Sequence, residues 1–238
     1  MEDDADHLIG DSSVAHKEAR QCKPCDKENS LDARLGAIVG TGQCVVDLGC
    51  GSGKCLDDLS DDFEQRIGLD VSRRRLEEMG GGQTDGWEFH EADLNGTFPL
   101  EDGSADVVIA NQVIEHIIDP VNFAREIHRV LRPGGRCVLT TPNIRYLKNV
   151  AHVLFSGYGP RTAGGNTLDG GWDDGHIHYF THRDLWELFA HVGFCKAESS
   201  ALIDLAGAGW LRCMLDRHAT AWPIREFLSG NILLLAEK

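Results

Sequence analysis

The residues richest in chemical potential lie between positions 45 and 53, which read Val-Val-Asp-Leu-Gly-Cys-Gly-Ser-Gly. Val45 and Val46 begin a buried strand, Asp47 ends it, and Gly49, Gly51 and Gly53 make a turn almost bare of side chains. Glycine lets a backbone adopt φ > 0 and approach a ligand closely. Nucleotide-type ligands bind at the carboxyl ends of parallel strands, where such a turn would sit. The spacing discriminates among them. A dinucleotide fingerprint G-x-G-x-x-G needs its third glycine at position 54, which is Lys54. A phosphate loop G-x-x-x-x-G-K-[ST] could use Gly53 and Lys54, but Leu48 stands at its first glycine and Cys55 where a hydroxyl should hold Mg²⁺. A carboxylate at Asp47 would repel a phosphate and suits a cationic amino group. A ligand with an ammonium, a sulfonium and an adenosine but no phosphate meets all of these conditions, and S-adenosylmethionine (SAM) is such a ligand.

The pattern continues downstream. Ile67-Gly68-Leu69-Asp70-Val71-Ser72 reads as a second strand ending in an acid. Asp70 lies about 20 residues past the loop, where a carboxylate can accept from both ribose hydroxyls. Phe89–Leu94 reads as a third strand and Ala105–Asn111 as a fourth. Leu131-Arg132-Pro133-Gly134-Gly135 reads as the turn before a fifth strand at 136–141. On these residues the chain resembles the class I SAM-dependent methyltransferases, of the small-molecule type found in ubiquinone and methionine biosynthesis. The resemblance is close over residues 40–143 and looser to the end. It implies an α/β, Rossmann-like doubly wound sheet of seven strands in the order 3-2-1-4-5-7-6, with strand 7 antiparallel. It implies SAM bound by Asp47, Gly49, Cys50, Gly51, Gly53, Asp70, Val71, Asp93, Leu94, Asn111 and Val113. In that picture Asp93 meets the adenine amino group, Leu94 packs nearby, and residues 111–116 run alongside the adenosyl and methyl groups.

Methyl transfer from SAM is an in-line displacement, so positioning dominates, and a base assists when the acceptor is a hydroxyl. Two segments offer one. Asn111-Gln112-Val113-Ile114-Glu115-His116 follows the fourth strand, and His116 titrates near neutrality when unperturbed. Glu115 and His116 are adjacent, so on a helix they point about 100° apart and are not expected to act as a pair alone. The second segment is His176-Ile177-His178-Tyr179-Phe180-Thr181-His182. It resembles the H-x-x-x-[FY]-[ST] stretch that small-molecule methyltransferases carry before a late helix. His176 and His178 share a face if the segment is extended, and His176 is the one expected to line the pocket. His116 and His176 are therefore the candidate catalytic residues. Glu115, His116 and His176 also match three positions of a Glu-x-x-Glu-His motif with a later histidine. Quinone-ring O-methyltransferases and small-RNA 3′-end 2′-O-methyltransferases use that motif to hold Mg²⁺ or a similar ion. Gln112 replaces the first glutamate, and a hard cation wants anionic oxygens, so no metal is expected.

These segments need a scaffold. Helices are expected over residues 31–39, 53–60, 73–79, 120–131 and 183–192, and the last strands over 196–204 and 230–237. Leu185, Leu188 and Phe189 make one apolar helical face, Gly193 stops that helix, and Thr181 or His182 caps its start. Strands alternating with helices imply a parallel sheet covered on both faces. Residues 144–175 break the alternation with Tyr146, Tyr158, Gly164, Gly165, Gly170, Gly171 and Trp172. They are expected to form a long loop serving as a substrate cap. Residues 1–30 read as a mobile acidic arm over the SAM pocket, and Cys22 and Cys25 within it lack the second pair a structural zinc would need.

The 238 residues suit one domain plus that arm, with the domain at 31–238. A formal net charge of −15 argues against a nucleic-acid partner. No signal peptide and no 18-residue apolar run is present, so a cytoplasmic protein without a membrane span is expected. The reading is SAM-dependent methyl transfer to a small-molecule acceptor, most simply at oxygen. The alternative is a non-catalytic accessory or regulatory subunit on the same fold. A nicotinamide-dependent oxidoreductase is disfavoured by Lys54.

Overall fold

The structure is a computed structural model that describes residues 38–53, 55, 56, 59, 61–72, 87–162, 172–202 and 217–238. Its seven strands are β1 (Gly42–Leu48), β2 (Phe63–Asp70), β3 (Trp87–Glu91), β4 (Ala105–Asn111), β5 (Leu131–Pro142), β6 (Lys196–Leu202) and β7 (Asn231–Glu237). They form one sheet in the order β3-β2-β1-β4-β5-β7-β6. The first five run parallel, and β7 lies antiparallel to both β5 and β6. This is the expected doubly wound α/β topology. The burial follows from it: β1 is buried from Cys44 to Leu48 and β4 from Ala105 to Ala110, because central parallel strands are covered on both faces.

Register places the functional ends together. Leu48 pairs with Leu69 on one side and Ala110 on the other, and Asn111 pairs with Thr140. The residues that follow β1, end β2 and follow β4 therefore meet at one edge of the sheet.

Helix α1 (Pro120–Val130) is started by Asp119, whose carboxylate accepts from the amides of Val121 and Asn122, and Pro120 at its first position is pre-set for helical φ. It buries Phe123, Ala124, Ile127 and Val130, and Phe123 meets Phe98 edge to face at 5.9 Å. Helix α3 (His182–Val192) opens with a capping box between Thr181 and Asp184 and ends at Gly193 with φ of 114°. Leu185 and Phe189 carry its buried face. Of the two expected caps, Thr181 is the one that acts; His182 is the first helical residue and is buried.

The cap region is corrected in part. Residues 147–155 form a helix, α2 (Leu147–Phe155), rather than loop. Nothing on it is buried, and Leu147, Leu154 and Phe155 are exposed. A short helix α4 (Trp222–Phe227) precedes β7. Several edges also move. The second strand starts at Phe63 and ends at Asp70, the third spans 87–91, and the fifth begins at Leu131, with its ladder broken between Ala105 and Val107. The break is a bulge: Arg132–Gly135 stand opposite Asp106 of β4, with Gly134 at φ of 77°. The arm at 1–30, the expected helix at 73–79, the glycines 164–171 and most of the helices at 31–39 and 53–60 lie outside the described residues. No described helix is long and apolar enough to cross a membrane.

Candidate active site

The glycine turn rests on β2. The amides of Gly49 and Cys50 both donate to the carbonyl of Leu69, at 2.7 and 3.1 Å. Gly49, Gly51 and Gly53 have φ of 68°, 55° and 74°, the left-handed region that explains the choice of residue. At Gly49 there is a second reason, since a Cβ there would stand 2.7 Å from Cγ2 of Val113. Asp70 braces the turn. One carboxylate oxygen accepts from the Gly51 amide and the other from the Ser72 amide, each at 2.9 Å.

The resulting cleft is lined by Asp47, Gly49, Cys50, Gly51, Ser52, Cys55 and Asn111. None of these carries a positive charge, and Asp47 is a buried carboxylate. An anionic group beside bare backbone at the carboxyl edge of the sheet fits a cationic adenosyl ligand and not a phosphate. The Cys50 thiol reports the same local charge: burial first, then Asp47 and Asp70, hold it in the protonated form. Gly53, Asp70, Val71, Asp93, Leu94 and Val113 are not among the lining residues. Val71 is exposed, while Leu94 and Val113 pack in the core. Asp93 is exposed, and the amide and side chain of Asn95 hold its carboxyl below the usual range.

A second group of residues assembles beyond Asn111. Gln112 adopts φ of 57°, and its amide donates to the Thr140 carbonyl at 3.1 Å. The Thr140 hydroxyl donates to Oδ1 of Asn111 at 2.6 Å. A 3-10 turn then carries Ile114–His116. Glu115 is 1% exposed, and its Oε2 accepts from the Thr141 hydroxyl at 2.9 Å. Its Oε1 has no partner among the described residues. Burial pushes this carboxyl up to about 7.

The backbone of Glu115 builds the rest of the site. Its carbonyl accepts from the amides of both Ile177 and His178, at 2.9 and 3.1 Å. That anchors the second histidine segment over the turn and brings the His176 ring to 4.7 Å from His116, at 70°. His116 is exposed, and its Nδ1 lies 3.1 Å from the Gly175 carbonyl. A carbonyl only accepts, so Nδ1 carries the hydrogen and the neutral ring keeps Nε2 as its basic nitrogen. His178 diverges from His176 and approaches the Ile118 carbonyl at 3.4 Å. In the 3-10 turn Glu115 and His116 point different ways, Glu115 into the core and His116 to the surface. One donor atom each from Glu115, His116 and His176 lies within 4.8 Å of the others, so the three could share a proton or hold a divalent cation.

Sequence reading missed Thr140, Thr141, Thr162, Asp173 and Gly175. Thr140 and Thr141 lie at the end of a parallel strand, the position from which ligands are contacted, and that was the available signal; Thr162 lies in irregular chain and gave none. Asp173 gave none: it belongs to the site through backbone strain, with φ of 47°, and through contacts to Thr162 and Tyr179.

Comparison with known proteins places this geometry. Residues 46–139 match the family model described as a methyltransferase domain. A probable S-adenosylmethionine-dependent methyltransferase of Mycolicibacterium smegmatis is 36% identical over 106 residues, 43% of this chain and 39% of that protein. A ubiquinone biosynthesis O-methyltransferase of Albidiferax ferrireducens is 29% identical over 43% of this chain and 42% of its own length. A 23S rRNA (guanine(748)-N(1))-methyltransferase of Streptomyces fradiae is 32% identical over 51% of this chain and 41% of its own length. The chain thus spans less than half the length of these curated relatives. Among solved structures, an S-adenosylmethionine-dependent methyltransferase of Mesorhizobium loti shares the fold, with a TM-score of 0.62 at 18% identity over 89% of this chain and 99% of that one.

Proposed function

Because residues 46–139 form a class I SAM-dependent methyltransferase domain, whose cofactor is SAM, we propose that the chain transfers a methyl group to a small-molecule acceptor, at oxygen. The observation that carries the oxygen reading is the pairing of His116 and His176, 4.7 Å apart, beyond the cleft that ends at Asn111. SAM supplies a methyl carbon already activated by its sulfonium. The protein then has to hold the acceptor in line and remove its proton. In this reading Asp47 receives the ammonium, Asp70 the ribose hydroxyls and Asp93 the adenine amino group. Gly49, Cys50, Gly51 and Gly53 cradle the nucleoside, and Val71, Leu94, Asn111 and Val113 complete its contacts. His116, with its basic Nε2 and its exposure, takes the acceptor proton, and His176 shares it.

The O-methyltransferase relative supports oxygen as the target. The rRNA methyltransferase relative raises a nucleic-acid acceptor, which a net charge of −15 disfavours. Cytoplasmic placement belongs to the same reading.

Titration calorimetry with SAM and with S-adenosylhomocysteine tests the cofactor half. The wild type is expected to bind both, and Asp70→Ala to bind about 10- to 100-fold more weakly, the loss expected for hydrogen bonds to a charged group. Equal affinity in the two proteins would overturn the assignment. A screen of hydroxyl-bearing metabolites tests the acceptor half, with His176→Ala expected to keep SAM affinity and lose turnover. The same screen run with EDTA separates two ways of removing the proton. Turnover that survives chelation assigns it to the imidazoles. Turnover lost to EDTA and restored by Mn²⁺ or Zn²⁺ assigns it to a cation held by Glu115, His116 and His176, the set whose buried Glu115 Oε1 lacks a partner among the described residues.

A further inference from the structure

We propose that Asp173 and Thr162 are positioning residues for His176, and that they fix its neutral ring with the hydrogen on Nδ1, leaving Nε2 basic. The inference rests on the reading of His176 as part of the proton-accepting pair.

Thr162 and Asp173 come from either side of residues 163–171, which lie outside the described residues, and they meet around the histidine. The Asp173 side chain is fully buried. Its two oxygens accept from the Thr162 amide at 3.1 and 3.0 Å, and Oδ2 accepts from the Tyr179 hydroxyl at 3.2 Å. The Thr162 hydroxyl has two neighbours: Oδ2 of Asp173 at 3.3 Å and Nδ1 of His176 at 2.7 Å. It owns one hydrogen, so one neighbour receives it and the other must supply its own.

Chemistry decides between the two arrangements. An ionised carboxylate accepts and never donates, whereas an imidazole nitrogen does either. If the hydroxyl gave its hydrogen to Nδ1, Oγ1 and Oδ2 would face each other at 3.3 Å with no hydrogen between them, inside a buried site. If it gives its hydrogen to Oδ2, Oγ1 accepts from Nδ1–H and both contacts of the hydroxyl are satisfied. The carboxylate also lies 3.9 Å from Nδ1, and a hydrogen on that nitrogen places the positive end of the N–H dipole beside the anion. The relay therefore runs His176 Nδ1–H to Thr162 Oγ1–H to Asp173. His116 reaches the same tautomer by a different route, through the Gly175 carbonyl. The cluster thus presents two rings, each with Nδ1 tied to the protein and Nε2 basic.

Position 173 also fits this role. Its φ of 47° suits Asp and Asn alike among side-chain-bearing residues, so Asp173→Asn keeps the backbone and changes the charge.

The test is a long-range ¹H–¹⁵N correlation spectrum of the full chain with ¹⁵N-labelled histidine, at a pH where the rings are neutral. His176 is assigned by the signals lost in His176→Gln. The wild type is expected to show hydrogen on Nδ1 of His176. Thr162→Val should move it to Nε2 or to a mixture, Asp173→Asn should do the same, and Thr162→Ser should restore the wild-type pattern. A wild-type spectrum with hydrogen on Nε2 overturns the proposal without recourse to any variant, and so does a pattern unmoved by Thr162→Val. SAM affinity of Thr162→Val, read by calorimetry, is expected to match the wild type. A chain that fails to bind SAM at all yet shows the Nδ1 tautomer upholds the relay and overturns the function above, so the two failures are distinguishable.

Discussion

Histidine illustrates how much a residue's chemistry depends on its surroundings. His116 and His182 were both singled out by type. His116 is exposed and keeps a basic Nε2. His182 is 2% exposed, its Nε2 meets the Arg225 carbonyl at 2.9 Å, and its Nδ1 has no partner among the described residues. Burial pulls its pKa down to about 4. The consequence for stability has a definite sign. Above the unfolded value near 6.5 both states carry neutral histidine and the group costs nothing. As pH falls from there toward 4 the unfolded chain takes up a proton that the folded chain refuses, and stability is lost. By pH 4.5 the loss is about 2–3 kcal/mol. His182→Gln is expected to remove that component, so denaturant unfolding at pH 7 and at pH 4.5 should show a smaller difference in the variant than in the wild type. An equal difference would mean that His182 protonates freely in the folded state. The type of residue at 182 was visible in the sequence, but its role was not, because burial is a property of the packed chain.

At the scale of elements, legibility followed local signals. The fourth strand was placed at 105–111, as observed, because its apolar run is continuous and ends at Asn111. The stop of α3 was equally plain from Gly193, while its start lay between Thr181 and His182, of which the structure selects Thr181. Helix α2 was missed because it lacks both kinds of signal: Tyr146 makes no side-chain cap, and no face of the helix is buried. Its residues are at most half-buried, so the sequence around it reads as loop. The glycine turn is the element whose sequence and geometry agree most closely, and it makes a prediction. Gly49→Ala must hold an L residue at φ of 68° and place a methyl 2.7 Å from Val113. The left-handed conformation alone costs about 1–2 kcal/mol, and relief by shifting the turn would move the amides of Gly49 and Cys50 off Leu69. Titration calorimetry is expected to show at least a tenfold weaker affinity for SAM, with the protein still folded by circular dichroism. Unchanged affinity would mean that this turn does not touch the cofactor.

At the scale of the molecule, Asn143 ties the last third of the described chain to the sheet. Its Nδ2 donates its two hydrogens to the carbonyls of Glu226 and Ser229, with the Arg225 carbonyl 3.4 Å away, its Oδ1 accepts from the Arg145 amide, and its backbone bridges to Phe180. It is fully buried, so Asn143→Ala leaves carbonyls without a donor at the junction of β5, α2, α3 and α4. The cost is about 3 kcal/mol, expected as a lower denaturant midpoint with an unchanged slope; a loss under about 0.5 kcal/mol, the range of a neutral surface change, would contradict the tie. The sequence by itself determined the cofactor side of this protein. Glycine φ, strand alternation and the placement of Asp47 and Asp70 are written within a few residues, and backbone geometry there follows from local sterics and short spacings. The resemblance built on those residues also anticipated the strand order. Only the tertiary structure brought together the residues proposed to meet the acceptor. His116 meets Gly175, 59 positions away, because the Glu115 carbonyl accepts two amides from the distant segment. A hydrogen bond between two backbones leaves no mark in either stretch of sequence, since every residue carries the same donor and acceptor.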